Sequence, residues 1–430
     1  MERYNEYKDS GVQWLGEIPS HWDMQRWRFL LTENKVKNTD CKVKVQLQFK
    51  YGDIVRKANQ DEDAGVLETI SKYTVVAPDD IMINGLNLNY DFISQRVAQV
   101  RENGVITSAY VSLRPTSLAC SRYYTYFLKS MDFKKMFHGM GTGIRLTLSY
   151  NELKNQFIPF PSIAEQQAIA DYLDTATAKI DEAIAQQQKM IDLLNERKQI
   201  IINTAVTKGL NPSAPMKDSG VDWIGEIPEH WKVMKLKHVT SKIGSGSTPR
   251  GGAEVYQDSG IMFLRSQNVY NDGLKLDDVA HIVDGVHQKM KGTQVKYNDI
   301  LYNITGGSIG RCCCYDREDE ANVNQHVSIV RPKGIIAKYL MYNLQSDNAQ
   351  RQLRETLKGG NREGLAAVTF KEFLILTCPK EEQNQIVSHI ERMFVNIDRA
   401  ISNATKQISL LQERKQIIIN DVVTGKVKVC

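Results

Sequence analysis

The segment Leu193-Leu-Asn-Glu-Arg-Lys-Gln-Ile-Ile-Ile-Asn-Thr-Ala-Val-Thr207 recurs 217 residues later as Leu410-Leu-Gln-Glu-Arg-Lys-Gln-Ile-Ile-Ile-Asn-Asp-Val-Val-Thr424, with twelve of fifteen positions identical. A second pair leads each half. Lys8 to Trp22 reads KDSGVQWLGEIPSHW and Lys217 to Trp231 reads KDSGVDWIGEIPEHW, again identical at twelve of fifteen positions, at an offset of 209. Two matched pairs in the same order make the chain a tandem duplication. Each half runs from a short motif, through a long divergent body, to the repeated segment.

That segment closes a long amphipathic pattern. Positions taken at alternating spacings of four and three hold Leu173, Thr177, Ile180, Ile184, Gln187, Ile191, Leu194, Lys198, Ile201 and Ala205, seven of ten apolar. The equivalents in the second half are Ile390, Phe394, Ile397, Ile401, Ala404, Ile408, Leu411, Lys415, Ile418 and Val422, nine of ten apolar. A 3.5-residue apolar period sustained over four heptads is a coiled-coil signature. Pro161 and Pro379 mark the entries of the two helices. A helix over 164–205 would be about 60 Å long, more than the width of one domain of this size, so its seam needs another partner, and the matching helix supplies it. Lys198 and Lys415 interrupt both seams at the same point. Snorkelling to the edge, or contact with another subunit, accounts for such residues.

Connectivity fixes the orientation. The linker Gly209–Pro215 is short, so the second body starts where the first helix ends, and a parallel partner would need a connection as long as the helix. The sequence therefore predicts an α+β protein, with two globular α/β bodies separated by a long antiparallel two-helix coiled coil and related by a pseudo-two-fold axis. Its segments are 1–160, 161–210, 211–378 and 379–430. The motif Lys8–Trp22 is expected beside the second helix, as its copy follows the first.

Composition sets bounds. The net charge of +5 and a charged fraction of 24 % are ordinary for a soluble protein, so any nucleic-acid grip must be local or shared with partners. No run of ~20 apolar residues offers a membrane span, and Met1 to Asp9 has no apolar signal core. A cytoplasmic protein is expected. The seven cysteines form no C-x-x-C pair. Cys312, Cys313 and Cys314 are adjacent on a strand-like run, where neighbours face opposite ways and cannot converge on one metal. They read as reduced, mostly buried thiols.

The bodies, roughly 25–160 and 234–378, mix strand-like runs (Tyr73–Ala77, Ile81–Ile83, Tyr110–Leu113, Ile261–Leu264, Ile300–Tyr302, Val327–Val330) with helical stretches (Ser121–Phe137, Lys338–Leu357). A faint alignment links Asp80-Ile-Met-Ile-Asn84 with Asp299-Ile-Leu-Tyr-Asn303, and Arg114-Pro115 with Arg331-Pro332. Both end in glycine-rich loops, Gly139–Arg145 and Gly359–Gly364. A common scaffold with diverged loops is what two readers of different sequences would show.

Gly246-Ser-Thr-Pro249, Phe263-Leu-Arg-Ser-Gln-Asn-Val269, Asp299-Ile-Leu-Tyr-Asn-Ile-Thr-Gly-Gly-Ser-Ile-Gly-Arg311 and Asn322-Val-Asn-Gln-His326 resemble the target-recognition domains of specificity subunits of type I restriction-modification systems. The doubled W-x-G-E-I-P-x-H-W and E-R-K-Q-I-I-I-N segments resemble that family's conserved regions. The likeness covers nearly the whole chain, although the first body lacks the G-x-T-P and R-S-Q-N signatures. It implies a non-catalytic subunit, with a target-recognition domain in each body, that reads a bipartite, asymmetric double-stranded DNA target. It also implies two methyltransferase subunits and restriction (nuclease/translocase) subunits as partners in a bacterial or archaeal cell. No cofactor is implied for this chain; S-adenosylmethionine belongs to the methyltransferase, and ATP and Mg to the restriction subunit.

Arg bonds guanine bidentately, and Asn or Gln bonds adenine, along the major-groove edge. Arg, Ser and glycine-loop amides suit phosphates. The candidates for DNA contact are first Arg265, Gln267 and Asn268, then Thr248, Arg250, Arg311, Gln325, His326, Asn361 and Arg362. In the first body they are Arg96, Thr107, Ser108 and Arg145. The seam candidates are Leu173, Ile180, Ile184, Ile191, Leu194, Ile201, Ile390, Phe394, Ile397, Ile401, Ile408, Leu411 and Ile418. Two other readings compete. A self-contained DNA-modifying enzyme would need motifs this chain lacks: Asn211-Pro212 is followed by Ser213, so there is no N-P-P-aromatic loop, and no G-x-x-x-x-G-K-[ST] occurs. A duplicated coiled-coil scaffold without DNA reading would show no salt-dependent DNA affinity.

Overall fold

The computed structural model describes residues 2–50, 52–58, 64–358 and 364–429. The chain divides into two compact units, Met1–Gln188 with Thr405–Cys430, and Lys189–Ala404. The long helices Ile163–Lys208 and Lys380–Val423 each contribute one half to each unit.

The first unit is built on a four-stranded antiparallel sheet in the order Leu31–Glu33, Val111–Pro115, Ile81–Ile83, Val97–Gln99. The second unit repeats that order with Thr240–Ser245, Val327–Pro332, Ile300–Asn303 and Cys312–Cys314. The faint motif alignment marks one physical feature in both. Arg114 donates to both carboxylate oxygens of buried Asp80 at 2.8 and 2.7 Å. Arg331 grips buried Asp299 in the same way, at 2.7 and 2.7 Å. A carboxylate this buried is tolerable only when its charge is paired and its lone pairs are taken. Asp80 also accepts from the Ala77 amide, and Asp299 from the Lys296 amide.

A separate two-stranded sheet in each unit leads into a long helix: Asp23–Arg26 with Phe157–Phe160, and Lys232–Lys235 with Leu374–Thr377. In the first unit the helix Ser121–Phe133 lies within the expected stretch Ser121–Phe137 but ends four residues sooner, before Lys135 turns into the left-handed region at φ +57°. Its counterpart in the second is broken at Ser346 into Ala337–Gln345 and Asp347–Lys358. Ser346 leaves the helical backbone region, and its hydroxyl bonds back to the Asn343 carbonyl, which explains a break that periodicity alone did not show.

These helices dock through duplicated polar contacts. Arg122 pairs with Asp171 and Asp174 in the first unit, and Lys338 pairs with Glu391 in the second. Gln166 and Gln383 are both buried. The first accepts from the Cys120 amide at 2.8 Å and donates to the Pro161 carbonyl at 2.9 Å. The second accepts from the Ile336 amide at 2.9 Å and donates to the Cys378 carbonyl at 2.8 Å. Pro161 and Cys378 lie just before the helix starts, so these amides serve as the fixings of the helix N-termini.

In the first unit Ile169, Ala170 and Leu173 of one long helix share a core with Ile419, Val422 and Val423 of the other. In the second unit Ile202, Ala205 and Val206 share a core with Ile386, Val387 and Ile390. In each case the start of one helix meets the end of its mate, so the pairing is antiparallel. Ile18 and Trp22 pack into the first of these cores, and Ile227 and Trp231 into the second, so each W-x-G-E-I-P-x-H-W motif caps a helix end. Gly209 and Gly425 end the helices at φ +72° and +73°. A Cβ on Gly425 would meet Pro19 at 2.3 Å, so only glycine lets the chain turn against the motif there. Along the seam, Leu173, Ile180, Ile390 and Ile397 are buried, whereas Ile184, Ile191, Leu194, Ile201, Phe394, Ile401, Ile408, Leu411 and Ile418 are half-buried.

The second unit adds a three-stranded sheet, Ala280–Ile282, Ile261–Leu264 and Ala321–Val323. Cys312 and Cys314 point into the core shared with the long helices, and Cys313 into the core beneath this added sheet. Their alternation is that of a strand buried on both faces. Cys41, Cys120, Cys312, Cys313, Cys314 and Cys378 are all free thiols. No helix among the described residues is long and apolar enough to cross a membrane.

Candidate nucleic-acid interface

In the second unit the hairpin turn between Ile300–Asn303 and Cys312–Cys314 begins and ends on one hydrogen bond, Asn303 N–H to the Arg311 carbonyl at 2.8 Å. Against this turn lie the loop after Thr240–Ser245 and the segment entering Val327–Pro332. Gly246 makes the close approach possible: a Cβ there would stand 2.0 Å from the Val323 carbonyl oxygen. The G-x-T-P glycine therefore has a steric reason, and it delivers Thr248 to Gln325.

Thr248, Gln325, His326 and Thr305 form one polar chain. Thr248 Oγ1 contacts Gln325 Oε1, Gln325 Nε2 lies 3.1 Å from His326 Nε2, and His326 Nδ1 lies 2.6 Å from the Thr305 hydroxyl. With the Gln325 amide so oriented, Thr248 donates to Gln325, Gln325 donates to Nε2, and the ring donates through Nδ1 to Thr305. The Thr305 hydroxyl proton and one Gln325 N–H are then left to an outside acceptor. Thr248 and Gln325 are exposed, and so is neighbouring Arg250. Thr305 lies inside the Asp299–Arg311 motif but is not among the sequence candidates, because its role depends on His326 across the sheet.

The Arg265–Asn268 run behaves differently from the expectation drawn from residue type. Asn268 is buried, accepts from the Arg265 amide and donates to the Lys275 and Asp278 carbonyls. It is spent on holding a turn. Arg265 donates to the Asp278 carbonyl at 3.0 Å, and Gln267 to the Asp278 carboxylate at 2.7 Å. Asp278 is thus the organiser of this loop, a role no sequence spacing revealed. Arg311 stacks over Tyr270 at 4.9 Å. It faces a cavity of about 410 Å³ that is also lined by Lys198, Gln199, Phe394 and Asp398, and by no member of the Thr248 chain. Asn361 and Arg362 lie outside the described residues.

In the first unit the matching turn runs from Asn84 to Arg96, closed by the same bond, Asn84 N–H to the Arg96 carbonyl at 2.8 Å. Arg96 is 1 % exposed, and its guanidinium is given over to the carbonyls of Asn84, Leu86 and Asp91. It supports the turn from beneath. Ser108 bonds Thr74 and Lys37. Thr107 is half-buried, and Arg145 is exposed on the glycine loop. Among the described residues no group of His, Cys, Asp and Glu could hold a metal ion.

Two copies of one α+β scaffold, each offering loops rich in hydrogen-bonding and cationic side chains, define a recognition protein. The chain belongs to the family described as the type I restriction modification DNA specificity domain, whose model matches residues 50–191 and 228–409. It is 25 % identical over 441 residues to the type I restriction enzyme MjaVIII specificity subunit of Methanocaldococcus jannaschii, covering 100 % of this chain and 98 % of the relative. It is 26 % identical over 277 residues to the EcoBI specificity subunit of Escherichia coli, covering 62 % of this chain and 58 % of that one. A solved chain from work on complex assembly and conformational transition of a type I restriction-modification system shares the fold. Its TM-score is 0.65 at 13 % identity, with 95 % of this chain and 99 % of that one covered. The protein is thus a DNA specificity subunit, a non-catalytic component of a type I restriction-modification complex.

Proposed function

We propose that the two domains read the two halves of a bipartite, asymmetric double-stranded DNA target, with the paired long helices setting the spacer between the halves. The observation that carries this reading is the Thr248–Gln325–His326–Thr305 chain, a set of hydrogen-bonding groups with outward capacity beside exposed Arg250. Such groups suit base edges and phosphates. In this reading Gln267 and Arg265 add further DNA contacts, Arg145 serves the first domain, and Asn268 and Arg96 position loops without touching DNA.

Two copies of one methyltransferase subunit dock on this chain, and restriction (nuclease/translocase) subunits join them for cleavage. Support comes from a duplicated exposed ridge. Leu193 and Ile200 flank Arg197 in the second unit, and Leu410 and Ile417 flank Arg414 in the first. All four apolar side chains are between 51 and 56 % exposed. The same ridge once per unit matches two copies of one partner. S-adenosylmethionine is held by the methyltransferase, which flips and methylates adenine, and ATP and Mg by the restriction subunit.

The test is binding of the assembled methyltransferase complex to its methylation target, compared with a scrambled duplex of equal length at several salt concentrations. Preference for the target of at least about a thousandfold is expected, with Gln325→Ala lowering it in one half only. Equal affinity for both duplexes would overturn the reading.

A further inference from the structure

The first domain carries an apolar feature that the polar readout just described does not use. The turn between Asn84 and Arg96 exposes Tyr90 (77 %) and Ile93 (93 %), and the glycine loop packed against it exposes Ile144 (98 %). Large aliphatic side chains this bare are costly to leave in water, and here they lie on two joined loops. Leu88 N–H donates to the Leu146 carbonyl, Leu148 N–H to the Gly85 carbonyl, and Asn89 Nδ2 to the Ile144 carbonyl.

The tip is pinned from below. Arg96 Nη1 donates to the Leu86 carbonyl at 2.8 Å, and Nη2 to the Asp91 carbonyl at 2.7 Å. The Asp91 carboxylate accepts from the Ile93 and Ser94 amides at 3.0 and 2.9 Å. Phe92 stacks on His138, with ring centroids 4.7 Å apart and planes at 21°. A loop ordered in advance loses little entropy on contact, which is the property a rigid reading element needs.

Position says what the tip meets. In the second domain the equivalent turn, closed by the same Asn-to-Arg bond, carries Thr305. There the Leu365 amide bonds the Ile304 carbonyl, as Leu148 bonds Gly85 here. The apolar tip therefore shares its turn with the counterpart of Thr305, the member of the polar chain that this turn carries in the second domain, and exposed Arg145 stands next to Ile144 to meet a phosphate. We propose that Ile93 and Ile144, with Tyr90 beside them, make apolar contact with the bases of the first half-site, taking thymine 5-methyl groups in the major groove. Such contacts discriminate thymine without a hydrogen bond. This inference rests on the proposed division of the target between the domains.

The test uses the assembled methyltransferase complex, wild type and with Ile93→Ser or Ile144→Ser, on duplexes carrying single thymine-to-uracil replacements across the target. Wild type should lose about fivefold to tenfold in affinity at one or more thymines of the first half-site and nowhere else in the target. A variant should bind the unmodified target correspondingly less tightly and should no longer respond to that replacement. Variants that keep wild-type affinity and wild-type response overturn the proposal. So does impaired assembly with unchanged DNA affinity of the complex that does form, which would place a protein on the tip. Absence of target preference in wild type would instead remove the reading on which the inference rests, a result separate from either.

Discussion

Lys198 Nζ donates to Asp398 Oδ1 at 2.7 Å, from one long helix to the other. In the first unit Lys415 donates to both oxygens of Asp181, each at 2.7 Å. Lys415 is the copy of Lys198, and Asp398 the copy of Asp181, at the same offset of 217. The lysines that interrupt both apolar seams are thus interhelical pairs, and the expected snorkelling is resolved into a defined acceptor. Lys198 also lies 4.4 Å from the centre of the Phe394 ring. Asp398 is largely exposed, so the pair should be weak. A double-mutant cycle of Lys198→Met and Asp398→Asn should give a coupling of about 0.5–1 kcal/mol. It should shrink in 1 M salt, as read from urea unfolding.

Ile180 and Ile397 are another equivalent pair, 8 and 7 % exposed. Ile180→Asp or Ile397→Asp would bury an unpaired carboxylate between the helices. Each should cost about 3–5 kcal/mol, the range for uncompensated buried charge. Urea midpoints of the two variants and of the Ile→Val controls check this. Asp variants as stable as the Val controls would remove these residues from the seam.

The exposed ridge gives a stoichiometric prediction. Leu193→Asp with Ile200→Asp should leave the chain folded, because both side chains are half or more in water, and should remove one of the two proposed methyltransferase copies. Leu410→Asp with Ile417→Asp should remove the other, and all four changes should remove both. Native mass of the purified complexes reads the count.

Burial pushes the Cys313 and Cys314 thiols up to about 12, and holds Cys312 well above the ordinary range. At pH 8.5 these three should resist a thiol reagent in the folded chain and react fully in denaturant. In the unfolded chain such thiols lose their protons near pH ~8.5. The folded state binds more protons above that pH, so stability should fall as pH rises from there towards 12. Urea midpoints between pH 8 and 10, compared with a Cys312–Cys314 to Ala variant, test the sign.

The duplicated segments carried most of the architecture, because helix seams and end caps repeat with little variation: Trp22 and Trp231, Gly425 and Gly209, Ile180 and Ile397. The likeness of the two domains to each other was legible through Asp80–Arg114 and Asp299–Arg331, where a buried ion pair fixes residue identity while the loops around it diverge. Reading loops resist sequence analysis for a physical reason. Arg96, Asn268 and Arg265 have the side chains of base readers, yet burial and nearby carbonyls decide whether those groups face inward. Thr305 and Ile93 owe their roles to neighbours across a sheet or loop, which spacing does not encode. The Ser346 break in the second-unit helix is of the same kind.

The central claim is that this chain supplies sequence choice through two separate readers. Mapping methylated adenines in cells carrying the complex, with wild-type chain or with Thr248→Ala and Gln325→Ala together, tests it most directly. The account predicts an interrupted two-part motif for wild type, with only one part degenerate in the variant. A motif that stays intact in both parts, or methylation without any motif in wild type, would contradict it.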